Sequence, residues 1–492
     1  MQARKQNGCR GAVSVYLVLM LAVMIPLTLT MIEAARISTI RLTLECAMDL
    51  AEDSVLAEYN RELFRQYDLL MIDTAYEHER GSVGYLAEHL EGYADYTIHP
   101  SKRILQPGAR DLTGLSADTI EITKVSRATD EDGAVFRYMA VSYMLEKYGI
   151  AYVQDIQDLA HTTEAEGIYD SDIDSDLSDA QGNVDAIHVE PPEDECDEDG
   201  NPVDWEEPEK DDPAGGVLAL RSRGILSLVC KEEISGQTIR PEQYASHRSL
   251  VVGDGMCEDW EERNSLAEQF LFSEYIMEKC GCYTTPKENS HLRYEVEYIV
   301  AGKDSDTENL RSVAHRLLLL RGGANTVHFM RDTQLKNQAK GMAKFLSFVL
   351  AFPEFEELFE ILIDAAWIYA ESVYDVRLLF DGEKIPLIKE HSDWNLGLEN
   401  ALSLTASELD HPNGKESQKG LSYADYLRLM LYVTPLSDRT ARCMDIVEMD
   451  IRKIEGYENF RLDDCVAAAT VQYIFYSSYG YSFFAERRFR YM

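Results

Sequence analysis

The chain has 492 residues, and 47 Lys and Arg stand against 87 Asp and Glu, a formal charge of −40. A hydrophobic share of 45% is enough to build cores over most of that length, which excludes wholesale disorder. The length suits two to four domains at about 100–200 residues each. A strongly acidic chain without a basic stripe argues against nucleic acid as a partner, since phosphate binding draws on clustered Lys and Arg.

Residues 1–11 form a short tail carrying Arg4, Lys5 and Arg10. Ala12 to Ile32 then runs 21 residues without a charge, and at about 1.5 Å per residue it spans the roughly 30 Å hydrocarbon core. Pro26 lies inside this run and is tolerated in a membrane helix. The stretch is longer than the apolar core of a signal peptide, and Glu33-Ala34-Ala35 makes a poor cleavage site, so an uncleaved anchor is expected. Cationic flanks stay inside. The N-terminus is therefore expected in the cytoplasm, with the bulk of the chain outside the cell membrane.

Past the anchor, Ile37, Ile40, Leu44, Ala47, Ala51, Val55, Tyr59 and Leu63 follow one another at spacings of three and four, an apolar stripe of helical period. The spacing predicts one long helix that carries the anchor outward by on the order of 50 Å over residues 33–65. This stripe can cover the chain's own outer domain or pack in a bundle with other subunits. Glu33, at the lipid boundary, is a candidate polar contact in such a packing interface.

Residues 33–160 make up this stalk and the first part of the outer domain. Tyr67–Ile72 is short and apolar, Ile120–Val125 alternates as a half-buried strand, and Phe136–Leu145 reads as a helix ending at Gly149. Residues 161–215 differ in kind: positions 164–212 hold 21 Asp and Glu against the single base Lys210, a composition that predicts a disordered acidic linker or loop. Asp170, Asp172, Asp174 and Asp176 alternate there, yet an EF-hand loop starting at Asp170 would need Gly and Glu where Ser175 and Gln181 stand.

Order should resume over residues 216–492. A helix is expected at 264–280, and a strand at Tyr294–Val300 ending at Gly302. Asp304 or Ser305 then caps a helix carrying Leu310, Val313, Leu317 and Leu320, stopped by Gly322-Gly323. A helical region at 335–380 breaks at Pro353, with Phe345, Phe348, Phe352, Ile361 and Trp367 as core candidates. Asp381-Gly382 signals a hairpin within Arg377–Ile388. Helices fit 421–434 and 438–455, a strand fits Val466–Tyr476, and Arg487, Arg488 and Arg490 close the chain as a solvated basic end or a contact for a membrane surface or acidic partner.

No catalytic constellation stands out. Gly302-Lys303 lacks the Ser or Thr of a phosphate loop, and neither G-x-S-x-G nor H-E-x-x-H occurs. Eight Cys follow the anchor, Cys280-Gly281-Cys282 being the one close pair; a disulfide, a metal and plain thiols all remain open for it. No catalytic, cofactor-binding or metal residue, no cofactor and no small-molecule substrate is expected.

Gly11–Val15 leading into the apolar run, followed by Glu33-Ala34-Ala35-Arg36, resembles the anchors of TadE/TadG-like proteins of Tad (Flp-type) pilus assembly. Met48–Tyr59, Tyr294–Lys303 and Leu421–Arg428 resemble, in that order, a Gram-positive bacterial family with a large extracytoplasmic domain of unknown function. Processed pilins carry Glu five residues after the cleavage-site Gly; Gly11 is followed at that spacing by Tyr16. The resemblance therefore implies an accessory, minor pseudopilin-like component with a structural role, whose partners are the membrane and other anchored pilus or secretion subunits. The expected fold is α+β, a single transmembrane helix continued by an amphipathic helix and then a mixed domain with the acidic insertion. The alternative is a membrane-tethered surface binding protein or sensor of the envelope.

Overall fold

The computed structural model describes residues 9–76, 78–102, 110–111, 113–148, 224–231, 233–257, 260, 265–349, 356–402 and 420–491. The acidic segment, with Asp170 to Asp176, lies outside the described residues, as do Gly149, Phe352 and Pro353. The chain mixes helices with a small antiparallel sheet, the α+β class expected. Two units divide it. One joins Met1–Met139, Leu250–Glu262 and Glu455–Met492; the other joins Ala140–Ser249 and Arg263–Ile454.

In the first unit, helix α1 (Cys9–Leu56) runs 48 residues straight through Pro26. It is long and apolar enough to cross a membrane, and its window of highest hydropathy is entirely unburied. The predicted continuation is real but shorter than expected. The helix stops at Leu56 because Asn60 takes over the backbone: its side-chain oxygen accepts from the amides of Glu62 and Leu63 at 3.1 and 3.0 Å and opens α2 (Arg61–Tyr67). Tyr59 forms an antiparallel bridge with Ile72 instead of another helical turn.

The sheet is built around β3 (Cys465–Ser477). It pairs with β1 (Ile72–Asp73), β2 (Leu115–Arg127) and β4 (Ser482–Arg490), all antiparallel. Cys465 to Val471 is buried on both faces, which is why the sequence there is continuously apolar and small. α3 (Val83–Ile98), capped by Ser82, presents Leu86, Leu90, Ala94 and Ile98 at a spacing of four and packs them against α1. α4 (Asp130–Tyr148) takes regular helical angles only after Gly133, since Glu131, Asp132 and Gly133 hold φ of 51°, 55° and 78°. Asp130 holds this turn by accepting from the amides of Arg127, Gly253 and Gly255 at 2.7, 2.6 and 3.2 Å. The basic end is not solvated tail. Arg487, Arg488 and Arg490 lie in β4, reached from β3 by a turn at Gly480, where φ is 88°.

The second unit is helical: α5 (Ile225–Val229), α6 (Leu266–Lys279), α7 (Glu295–Ala301), α8 (Asp306–Arg331), α9 (Thr333–Val349), α10 (Glu356–Phe380), α11 (Leu398–Leu402), α12 (Tyr423–Val433) and α13 (Leu436–Arg452). Long α10 is its axis, buried all round from Ala365 to Phe380 and packed by α5, α8, α9 and α11. Ser305 caps α8 through the Glu308 amide, as expected.

Four expectations fail here. The expected strand at Tyr294–Val300 is instead the helix Glu295–Ala301 behind Tyr294, because Glu295 and Glu297 are buried along with the tyrosines and valines, so alternation did not mean an inner and an outer face. Gly322-Gly323 does not stop α8; both are buried between Arg321 and Asn325, which bond across to α10. Phe345, Phe348 and Ile361 are exposed, and only Trp367 of the described core candidates is buried. Asp381-Gly382 ends α10 without a hairpin, Ile385 bridging instead to Leu421.

Gly302 closes α7 at φ 65°, and an added Cβ would lie 2.6 Å from the Arg442 guanidinium, itself bonded to the Ile299 and Val300 carbonyls. Gly302→Ala should cost roughly 1–2 kcal/mol from the left-handed angle alone, read as a lower urea midpoint at unchanged slope.

Candidate functional site

Sheet and helix meet along α1 in a seam with a regular geometry. Glu33 and Leu56 stand 23 residues apart on the helix, about 35 Å; Tyr481 and Tyr491 stand ten apart along the β4 region, about 34 Å. Their lengths match, and contacts mark both ends. At one end the Tyr481 hydroxyl donates to Glu33, and the Arg36 guanidinium lies 4.3 Å over the Tyr479 ring. At the other, the Tyr491 hydroxyl donates to the Leu56 carbonyl at 2.6 Å. Between them Arg487 pairs with Glu45 at 2.7 Å and with Asp49, and the Tyr473 hydroxyl donates to Glu52 at 3.2 Å. Burial raises the Glu52 carboxyl above its ordinary range, against the pull of Arg487.

The apolar stripe fills the space under these pairs. Ile40, Leu44, Ala47, Ala51 and Val55 are buried inside their own unit, and Ile37 is half-buried. Tyr59 and Leu63 belong to later elements, the bridge and α2, and Leu63 is buried there. The face proposed for packing other subunits is thus, from Ile40 to Val55, already covered by this chain. Glu33 is bonded rather than merely solvated, holding Arg36 at 2.6 Å as well as Tyr481. Burying Leu, Ile or Val is worth about 1.5–3 kcal/mol each, whereas partly exposed ion pairs such as Arg487–Glu45 give about 0–1, so the stripe dominates the seam.

Beside the seam lies an open groove of about 800 Å³, lined by Leu50, Ser54, His89, Tyr93 and Tyr96 among others. Glu58 organises its wall: it accepts from Tyr93 and Tyr76 hydroxyls at 2.5 and 3.1 Å and meets His89 Nδ1 at 3.0 Å. The bond to Glu58 pushes the Tyr93 phenol up to about 12. The Ser54 hydroxyl donates to the Leu50 carbonyl of its own helix.

The second unit keeps its charges inside. Arg321 bonds Asp375 at 3.0 Å, and Lys389 bonds Asp375 at 2.6 Å and also Glu371, giving two cations and two carboxylates, all buried. Asn325 joins Ser372 to Asp375 at 3.0 Å each. A second cluster surrounds α7. Glu295 accepts from the Gly281 amide at 2.6 Å, and Glu297 from the Tyr283 amide and Tyr423 hydroxyl at 2.8 and 2.7 Å. Burial pushes both carboxyls up, Glu297 to about 7. Cys280 and Cys282 are free thiols; both are raised, Cys280 chiefly by its hydrogen bond with Cys443 and Cys282 by burial. Among the described residues no group of His, Cys, Asp and Glu could hold a metal ion. Sequence reading missed Arg321, Lys389, Asp375 and Glu371, which carry no motif; charged positions inside the long apolar run of α10 are the signal that could have found them.

A family model described as a family of unknown function, DUF5702, matches residues 203–477, more than half of the chain. No curated protein and no solved structure matches it.

Two outcomes follow from these energetics. Leu44→Ala should lower the unfolding free energy by about 2–5 kcal/mol and Arg487→Ala by about 1 or less, compared by urea titration of the detergent-solubilised chain. The folded chain holds a proton on Glu297 that the unfolded chain releases between its ordinary 4.5 and about 7. Stability therefore falls as pH rises through that window. Glu297→Gln should reduce the slope by up to about 1.36 kcal/mol per pH unit, measured by urea midpoints between these pH values.

Proposed function

The chain belongs to the DUF5702 family of unknown function, and we propose that it serves as a single-pass, membrane-anchored structural component rather than an enzyme. The observation that carries this reading is α1 itself. Its side chains from Val13 to Ile32 are uncovered and mostly apolar, while one helix further along, without a break, it is the core of a folded unit. Twenty exposed, uncharged residues, of which only Ser14, Tyr16, Thr28 and Thr30 carry a side-chain hydrogen-bonding group, call for lipid or for other apolar helices. The anchor and the sheet would then move as one piece, which suits a part that positions an assembly.

The finer reading is an accessory, minor pseudopilin-like component of a Tad-like pilus or secretion apparatus, with the N-terminus in the cytoplasm and the bulk of the chain outside. It rests on the resemblance of Gly11–Val15 and Glu33–Arg36 to TadE/TadG-like anchors and on the tail cations Arg4, Lys5 and Arg10. Its partner-binding face is narrower than the whole stripe. With Ile40 to Val55 filled from within, other subunits would meet the helix between Val13 and Ile37. The groove beside His89 and Glu58 favours a second reading, a tethered surface binding protein whose anchor only meets lipid.

A photoreactive residue in place of Val18 or Leu21, activated in native membranes, separates the two. The assembly reading predicts adducts of discrete mass that mass spectrometry identifies as pilin-like or Tad-type membrane subunits. Adducts to lipid alone would sink that reading and leave the tethered binder.

A further inference from the structure

The turn between β3 and β4 stands level with the outer end of the apolar half of α1. Tyr481 bonds Glu33, the first charged residue after Ile32, and Arg36 lies against the Tyr479 ring. From that point β3 and β4 lead away alongside the helix, as the bonds of Arg487 to Glu45 and Tyr491 to Leu56 show. The start of β2 joins the same edge, since the Ser478 amide donates to the Gly114 carbonyl at 2.7 Å. This near end of the sheet carries large aromatic side chains in the open: Tyr476 and Tyr479 are each 46% exposed, and Phe484 is 65% exposed. Tyr476 and Phe484 also share one face, for Tyr476 pairs with Ser482 and Ile474 with Phe484 in the register. Exposed Phe in a strand beside an exposed Tyr is an apolar patch that water does not favour.

We infer that this hairpin tip seats in the headgroup zone of the same bilayer that the anchor crosses, with Tyr476, Tyr479 and Phe484 as an interfacial aromatic belt. The inference rests on the membrane-anchored reading of α1. Tyr and Phe suit that zone because the ring bodies leave water while a phenol hydroxyl keeps polar partners. The occupant is fixed by position: an anchor that leaves the hydrocarbon at Ile32 brings the residues bonded to Glu33 and Arg36 to the surface of that leaflet. The seat would set the tilt and depth of the first unit, because helix and hairpin then touch the bilayer at two points instead of one.

The test uses the full chain in phosphatidylcholine–phosphatidylglycerol vesicles, with an indole introduced by Tyr479→Trp, Phe484→Trp, Leu21→Trp or Val252→Trp. Val252 is 65% exposed, on the loop whose Val251 amide bonds Asp463 at the far end of the sheet. Emission gained over the parent chain is read with lipids brominated near the carbonyl or at mid-chain. The expected result is loss of most of the added emission at positions 479 and 484 with carbonyl-proximal bromine, at 21 with mid-chain bromine, and none at 252. Quenching at 21 with none at 479 and 484 would overturn the inference and spare the anchor. Absence of quenching at 21 would overturn the anchor and the inference together.

Discussion

A single uninterrupted helix has to satisfy two different surroundings, and the first unit is arranged around that constraint. From Val13 to Ile32, α1 shows mostly apolar side chains on every side and nothing of the described chain covers them. From Ile40 the same helix narrows to one apolar stripe, covered by α3 and by the sheet. Because no loop separates the halves, whatever holds the first holds the second. Contacts from Glu33 to Leu56 tie β4 along the helix over its full length, so the sheet has little freedom to swing about α1.

Much of this was legible in the sequence, for reasons that differ by element. The uncharged run from Ala12 to Ile32 reports an apolar surround and the three-and-four spacing from Ile37 to Val55 a buried face, and both were read correctly as helix. The end at Leu56 was not, since one Asn with two amide bonds outweighs a continuing stripe. β3 was plain from its Val, Ala, Thr and aromatic content. β4 was hidden because Arg487, Arg488 and Arg490 made it look like a tail; Ala485, Arg487 and Phe489 share one strand face, and Arg487 finds carboxylates on α1. Candidate packing residues were identified as a face, but the sequence could not say that the face is filled from within.

In the second unit two of the misreadings, the strand at Tyr294–Val300 and the helix stop at Gly322-Gly323, share one cause. Period-two and period-3.6 rules assume that charged residues point outward, and here several do not. Glu295, Glu297, Glu371, Asp375, Arg321 and Lys389 are all buried, in clusters that give each of them at least one hydrogen bond. Replacing the ion cluster of Arg321, Lys389, Asp375 and Glu371 with apolar side chains can be neutral, but removing one partner leaves an uncompensated charge at about 3–5 kcal/mol. The clusters link α8 to α10 and α7 to α12. All of them fall within the residues shared with the family, 203–477, and so does β3, the strand at the centre of the first unit's sheet.

Hydrogen exchange of the full chain in lipid nanodiscs reads directly whether α1 runs unbroken from its exposed apolar half into the folded unit. The account predicts slow amide exchange from Val13 through Val55, protected first by lipid and then by packing, with no fast segment between Ile32 and Ile40. A rapidly exchanging stretch between those residues would contradict it, because the helix would then be a hinge and the unit would hang from the membrane instead of being held against it.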